Sequence, residues 1–223
     1  MEYISYNKTS VKLNNKKHIL KKYMIKTIPK KNYKLINDCI VNYHNSLFRN
    51  CTGIPKLISN KKNLEFKFEY CGESLSKILQ KKMIEEKEMK MILKGVTRIL
   101  NLCEKKKIDI DPHFKNFTVK NNNIFFVDLY PPMNKKFINV LLKYNKKVKE
   151  KIEKHLKTWS YKNIKQHFLA DLKKSKYINR NFYYYSKKYF IENDIVKKID
   201  YKLINNIILI EEKNLKNKNF TLS

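Results

Sequence analysis

Glycine occurs only three times in this chain of 223 residues, at Gly53, Gly72 and Gly95. That excludes a glycine-rich loop of the kind that cradles phosphates with closely spaced backbone N–H groups. A function that needs phosphate contacts must make them in another way. Arginine is as scarce: Arg49, Arg98 and Arg180 stand among 50 basic residues. Readers of nucleic acid lean on the planar arginine fork to grip phosphates and base edges. The formal charge of +30 therefore reads first as lysine- and asparagine-heavy coding from an AT-rich genome. Only second does it read as a surface selected for polyanions. Cys39, Cys51, Cys71 and Cys103 form no CxxC pair, and no histidine flanks them at metal-ligand spacing. Buried free thiols in a reducing compartment are expected, rather than a zinc site built on cysteine. The opening MEYISYNKTS lacks a basic-then-apolar leader pattern. The longest strictly aliphatic run near the end, Ile207 to Ile210, is far too short to span a bilayer. The expectation is a soluble cytoplasmic protein.

What is present is enough for a sizeable core, with 42% hydrophobic and 13% aromatic residues. The pattern predicts three short antiparallel strands at 2–6, 10–13 and 18–25, separated by the polar turns NKT and NNKK. Leu35, Ile36, Cys39, Ile40, Tyr43 and Leu47 then share one face of a helix that stops before Gly53. Strands at 54–58 and 64–70 follow, the second alternating apolar and charged residues around a turn NKKN. Ser74 is placed to cap a short helix ending near Lys82. Ile84, Ile92, Leu93, Val96, Ile99, Leu100 and Cys103 line a longer one. Asn116–Lys120 and Ile124–Asp128 read as two strands around the turn NNN. Helices are expected at roughly 136–156, 160–175, 181–193 and 199–214. The aromatic run Asn181 to Phe190 is read as core packing rather than as a base-stacking surface. The fold class is α+β, with a small antiparallel β unit carrying one helix, followed by a mainly helical unit.

Between those two units lies the stretch IDIDPHFKNFTVKNNNIFFVDLYPP, Ile108 to Pro132. It gathers Asp109, Asp111 and Asp128 in a lysine-rich chain. "DPHFKN", Asp111 to Asn116, resembles the D-x-H-x-x-N catalytic loop of aminoglycoside- and choline-kinase-like phosphotransferases, members of the wider protein-kinase-like fold. Asp128 follows Asn116 by twelve residues, where that family carries a metal-binding aspartate at a strand end. LEFKFEYCGESLSKIL, Leu64 to Leu79, resembles the fifth strand, hinge and following helix of a kinase. HILKKY resembles the third strand with its lysine. The resemblance covers roughly residues 1–135 and implies a two-lobed molecule: a nucleotide-binding lobe over 1–71 and a helical lobe over 72–223 carrying the catalytic loop and metal site.

The roles implied are specific. Asp111 faces an acceptor hydroxyl, with Asn116 beside it, and Asp109 is the rival that lacks the matching asparagine spacing. Asn116 and Asp128 hold Mg²⁺, which prefers hard oxygen ligands. Lys21 binds phosphate, with Lys22 as the alternative one register step away. Backbone groups of Glu69, Tyr70 and Cys71 meet the adenine of ATP. His113 is expected to be structural, bonding backbone near the metal aspartate. The pattern also departs from the family. YNKTS, with Thr9 and Ser10, stands where a small-residue phosphate loop is usual. Asp38 is the only carboxylate near the position of the helix glutamate that normally pairs with the lysine. LYPP follows Asp128 in place of Phe-Gly.

The function expected is ATP- and Mg²⁺-dependent phosphoryl transfer to a hydroxyl of a small molecule or saccharide. The lysine-rich surface suits an anionic acceptor such as a lipopolysaccharide core, reached from the inner membrane face. The alternatives are a pseudokinase used for binding or scaffolding, and a basic nucleic-acid-binding protein. The shortage of arginine and of any nucleic-acid motif counts against a specific nucleic-acid partner.

Overall fold

The structure is a computed structural model. It describes residues 6–12, 17–25, 28–81, 84–129, 135–144, 153, 158–175 and 178–216. Among these the fold is α+β, with two small antiparallel sheets and seven α-helices.

The first sheet holds β1 (Tyr6–Lys12), β2 (His18–Ile25), β3 (Leu57–Lys61) and β4 (Glu65–Glu69), in the order β1-β2-β4-β3. Alternation decides its faces. Phe66 and Phe68 on β4 and Lys21 and Tyr23 on β2 are buried, whereas Lys22 is exposed. Helix α1 (Tyr33–Asn50) buries Ile36, Cys39, Ile40, Tyr43 and Leu47 along one stripe. It ends where the Cys51 N–H bonds to the Leu47 carbonyl at 2.8 Å. Gly53 follows with φ +77°, and a Cβ there would lie 2.5 Å from the Ile124 carbonyl oxygen. This tight approach lets the Gly53 carbonyl accept the Phe126 N–H at 2.8 Å, stitching the end of α1 to the second sheet.

The second sheet has β5 (Glu73–Ser74), β6 (Phe117–Lys120) and β7 (Asn123–Phe126), in that order. Asn121 and Asn122 adopt φ of 49° and 61° in the β6–β7 turn. Asparagine tolerates the left-handed conformation that a two-residue hairpin requires. Helix α2 (Leu75–Lys81) leaves β5, and the long α3 (Glu86–Lys105) packs on β7, where Gly95 lies against Ile124, and buries Ile92, Leu93, Val96, Ile99 and Leu100. Further helices are α4 (Lys135–Tyr144), α5 (Ile164–Lys174), α6 (Arg180–Glu192) and α7 (Tyr201–Lys216). Phe114, Phe117, Phe126, Phe168, Phe182 and Phe190 are all at most 2% exposed and form a linked ring cluster under the hairpin. Each such side chain contributes about 1.5–3 kcal/mol by leaving water.

Several boundaries differ from the expectation. NKT is part of strand β1, not a turn, because residues 6–12 pair continuously with 19–25. Residues 1–5 and 13–16 lie outside the described residues. The strand expected at 54–58 runs from Leu57 to Lys61, and Leu64, at φ 64°, makes the turn. Helix α5 starts at Ile164 rather than at 160, since 159–163 forms turns and a bend. The helix expected over 136–156 is described as α4 and at Glu153, and the rest lies outside the described residues. Asn116 and Asp128 flank the hairpin strands instead of ending them. Of the aromatic run, Phe182, Tyr183, Tyr189 and Phe190 are buried and Tyr184 is 58% exposed, in line with the packing role. All four cysteines are buried and none forms a disulfide. No helix among the described residues is long and apolar enough to cross a membrane.

Candidate active site

The loop from Asp109 to Asn116 is held from both sides before any ligand is considered. Tyr43 on α1 donates its hydroxyl to the Asp109 carbonyl at 2.6 Å. The Asp109 carboxylate accepts the Tyr161 N–H at 2.7 Å, so this acid is spent on anchoring the turn before α5. Burial raises its pKa. Asp111, two residues on, is 6% exposed and turns the other way, toward His113. The two acids are thus separated by partner and not only by motif spacing.

Asn116 closes the loop. Its Nδ2 donates to the Asp111 carbonyl at 3.1 Å, and its own carbonyl accepts the Val127 N–H at 2.9 Å. The second bond brings the residue before Asp128 against Asn116. Asp128 is 9% exposed. From the first sheet, Lys21 reaches across with its Nζ 2.6 Å from the Val127 carbonyl and 5.9 Å from the Phe68 ring centroid. Lys22 points to solvent. Tyr23 lies on the same face of β2 as Lys21. Burial, with the Asp128 charge adding to it, holds its phenol well above the usual range. Lys21 is thus tied to the residue before Asp128, and Asn116 to the backbone of Asp111 and Val127, with β2 supplying one side and the hairpin the other.

The segment expected to meet adenine is partly committed. The Glu69 N–H bonds to the Lys56 carbonyl and the Tyr70 N–H to the Lys17 carbonyl, both at 3.0 Å. The Tyr70 carbonyl accepts Lys120 Nζ at 3.0 Å, and the Cys71 carbonyl accepts the Thr118 hydroxyl at 2.6 Å. Two groups remain: the Glu69 carbonyl, with only a 3.8 Å contact from Cys71 Sγ, and the Cys71 N–H, which has no partner among the described residues. Gly72 sits next to them at φ +88°, and a Cβ there would lie 1.8 Å from the Val119 carbonyl oxygen.

Three expectations are corrected. His113 does not bond backbone near Asp128. Its Nδ1 meets the Asp111 carboxylate, and its Nε2 lies 3.0 Å from Glu211 Oε1. Asp38 is exposed on α1, so it is no buried partner for Lys21. Thr9 and Ser10 sit in register with Lys22 and Lys21 in a strand ladder, not in a loop.

A buried polar cluster that sequence reading missed lies behind Asp111. His167 on α5 is fully buried, with Nδ1 2.8 Å from the Thr158 carbonyl and Nε2 2.7 Å from Glu211 Oε1. Lys174 reaches Glu211 Oε2 at 2.5 Å, and Asp171 accepts the Phe114 N–H at 2.7 Å. Burial alone would make Glu211 a weaker acid, but hydrogen bonds from His113 and His167 outweigh it and hold its pKa well below the carboxylate range. Burial alone would likewise depress His113, but Asp111 and Asp171 outweigh it and favour positive charge on the ring. Asp111 is lowered by the same contact despite its burial. One signal was available. Ile204, Ile207 and Glu211 fall on one face of α7, so a carboxylate occupies an apolar-stripe position.

No protein-family model matches the chain, and a search of curated proteins finds no significant match. The side-chain geometry is what bears on function.

Proposed function

We propose that this chain is an ATP- and Mg²⁺-dependent phosphotransferase acting on a hydroxyl of a small molecule or saccharide. In this reading it has a two-lobed protein-kinase-like fold, with a nucleotide-binding lobe over 1–71 and a helical lobe over 72–223. The observation that carries the reading is the convergence of a buried lysine on the residue before Asp128: Lys21 Nζ is 2.6 Å from the Val127 carbonyl, while Val127 is tied through its N–H to Asn116.

Phosphoryl transfer asks the protein for positioning and charge neutralisation more than for covalent chemistry. The donor set fits a hard cation. Asn116 uses its Nδ2 on Asp111, which leaves its amide oxygen for an ion, and Asp128 supplies a carboxylate. Mg²⁺ held there would neutralise phosphate charge. Lys21 would sit against the phosphates, and the Glu69 carbonyl with the Cys71 N–H would meet the adenine edge. Asp111 has one carboxylate oxygen engaged by His113 and the other without a partner among the described residues. That second oxygen would orient the acceptor hydroxyl. Because His113 lowers its proton affinity, Asp111 acts chiefly by holding the hydroxyl in line, with proton transfer late. The lysine-rich surface suits an anionic acceptor presented at the inner face of a membrane, and the protein itself is placed in the cytoplasm. A specific nucleic-acid partner is not part of this reading.

A second reading, a pseudokinase that binds nucleotide without transfer, is favoured by one observation: Asp38, the only carboxylate on α1, is exposed. A screen of hydroxyl acceptors with Mg²⁺-ATP, reading ADP release, separates the two. Acceptor-dependent release that falls by about 10²–10⁴-fold in Asp111→Asn supports transfer. Mg²⁺-dependent ATP binding with no release on any sugar, aminoglycoside or choline-type acceptor supports the pseudokinase. No ATP binding overturns both.

A further inference from the structure

Cys51 and Cys103 stand 52 positions apart in the chain, yet their sulfurs touch, Sγ to Sγ at 3.6 Å. The Cys71 thiol, by contrast, points at the Glu69 carbonyl. Both members of the pair sit on fixed backbone. Cys103 lies in the last turn of α3, and its carbonyl accepts the Ile108 N–H at 2.8 Å. Cys51 follows α1 in an extended conformation, φ −128° and ψ 136°. It is 6% exposed and adjoins the exposed Thr52, whereas Cys103 is fully buried. Cys51 is therefore the sulfur nearer to solvent.

We infer that Cys51 and Cys103 form an oxidative modification site, a dithiol that hydrogen peroxide converts to a disulfide joining α1 to α3. Geometry carries this. A disulfide sets its sulfurs about 2.05 Å apart, so the two must approach by about 1.5 Å from their present contact. Cys51 lies just outside the helix, where a turn of χ1 and a small backbone shift supply that approach. The roles divide by position. The hydrogen bond from Cys103, with the charge of Lys106 behind it, lowers the Cys51 thiol despite its burial, while the same contact and burial push Cys103 up. The Cys51 thiolate attacks one peroxide oxygen. The O–O bond breaks, Cys51 becomes a sulfenic acid, and the other oxygen leaves as water with the proton Cys51 gave up. The Cys103 sulfur then attacks Cys51. The S–S bond forms, the S–O bond breaks, and the hydroxyl leaves as a second water with the Cys103 proton. Two thiols give up two electrons, and one peroxide is reduced to two waters.

The bond would fasten two parts of the molecule. Helix α1 packs on the first sheet, where His44 meets Phe68, and α3 packs on the second. Gly53, two residues beyond Cys51, already holds Phe126 of the hairpin. On the two-lobed reading the disulfide crosses between lobes and restrains their relative motion. That consequence rests on the reading, whereas the bond itself does not.

The test is peptide mapping by mass spectrometry of the full chain, reduced, exposed to hydrogen peroxide while folded, then alkylated. The expected result is a Cys51–Cys103 linked peptide, short of two hydrogens and absent after dithiothreitol, with Cys39 and Cys71 still alkylated in urea. The thermal midpoint should rise by about 4–16 °C on oxidation and return on reduction. Cys51→Ser should lose both the link and the rise, and Cys39→Ser should keep them. If Cys51→Ser fails to fold, the linked peptide of the parent decides. A folded parent that keeps both thiols under peroxide, or carries Cys51 to sulfinic acid without the bond, overturns the inference. So does an equal rise in a folded Cys51→Ser. None of these results depends on ATP binding.

Discussion

Glu211→Ala should be the most damaging single truncation on α7. The side chain is 4% exposed and reaches two imidazoles and Lys174, at 3.0, 2.7 and 2.5 Å. Removing it leaves the His113 ring and Lys174 without their shared counter-charge. Breaking a buried pair in this way costs about 3–5 kcal/mol. For a chain of this size each kcal/mol lowers the midpoint by about 2–4 °C, so the expected fall is about 6–20 °C. Trp159 is a convenient reporter. It is the only tryptophan, it is 1% exposed, and it follows Thr158, whose carbonyl holds His167. Urea unfolding followed by its fluorescence and by circular dichroism would give the difference directly. Glu212→Ala, one residue along and exposed, is the control and should stay within about 0.5 kcal/mol of the parent. Equal stability of the two variants would refute the claim that α7 is docked through this charge cluster.

Lys21→Met should weaken Mg²⁺-ATP binding by at least about tenfold while Lys22→Met leaves it unchanged, as read by calorimetry. A charge-assisted hydrogen bond is worth about 1.5–3 kcal/mol, and only Lys21 points inward. Gly72→Ala should lower stability by about 1–3 kcal/mol from its left-handed backbone alone, and further because its Cβ meets the Val119 carbonyl, which thermal unfolding would show. The Cys71 thiol is pushed up to about 12 by burial, with Glu69 adding to it. Its alkylation at neutral pH should therefore be at least about tenfold slower in the folded protein than in urea, where the thiol returns to about 8.5, as measured by mass spectrometry of labelled peptides.

Elements with a strong period were legible in the sequence. The stripes of α1 and α3 and the alternation of β4 located those elements because one face of each is buried. The asparagine turn was legible for a local reason, the tolerance of asparagine for positive φ at 121 and 122. Strand β1 was misread because Asn7 and Lys8 look like a turn, and only pairing with β2 makes them a strand. In the site, spacing favoured Asp111 over Asp109, and the structure adds that Asp109 is tied to Tyr161. Choosing between Lys21 and Lys22 needed the sheet face. His167, Asp171 and Glu211 stayed hidden because contacts spanning 44 to 98 positions have no local pattern.

The most direct test of the phosphotransferase account is a calorimetric titration of ATP into the parent and Asp128→Ala, each with and without Mg²⁺, with thermal unfolding to show that both are folded. The account predicts saturable, Mg²⁺-dependent binding by the parent, and a thermal gain of about 2.7 kcal/mol at a hundred times Kd, both lost in Asp128→Ala. Binding that is unchanged in Asp128→Ala, or no binding by a folded parent, would contradict it.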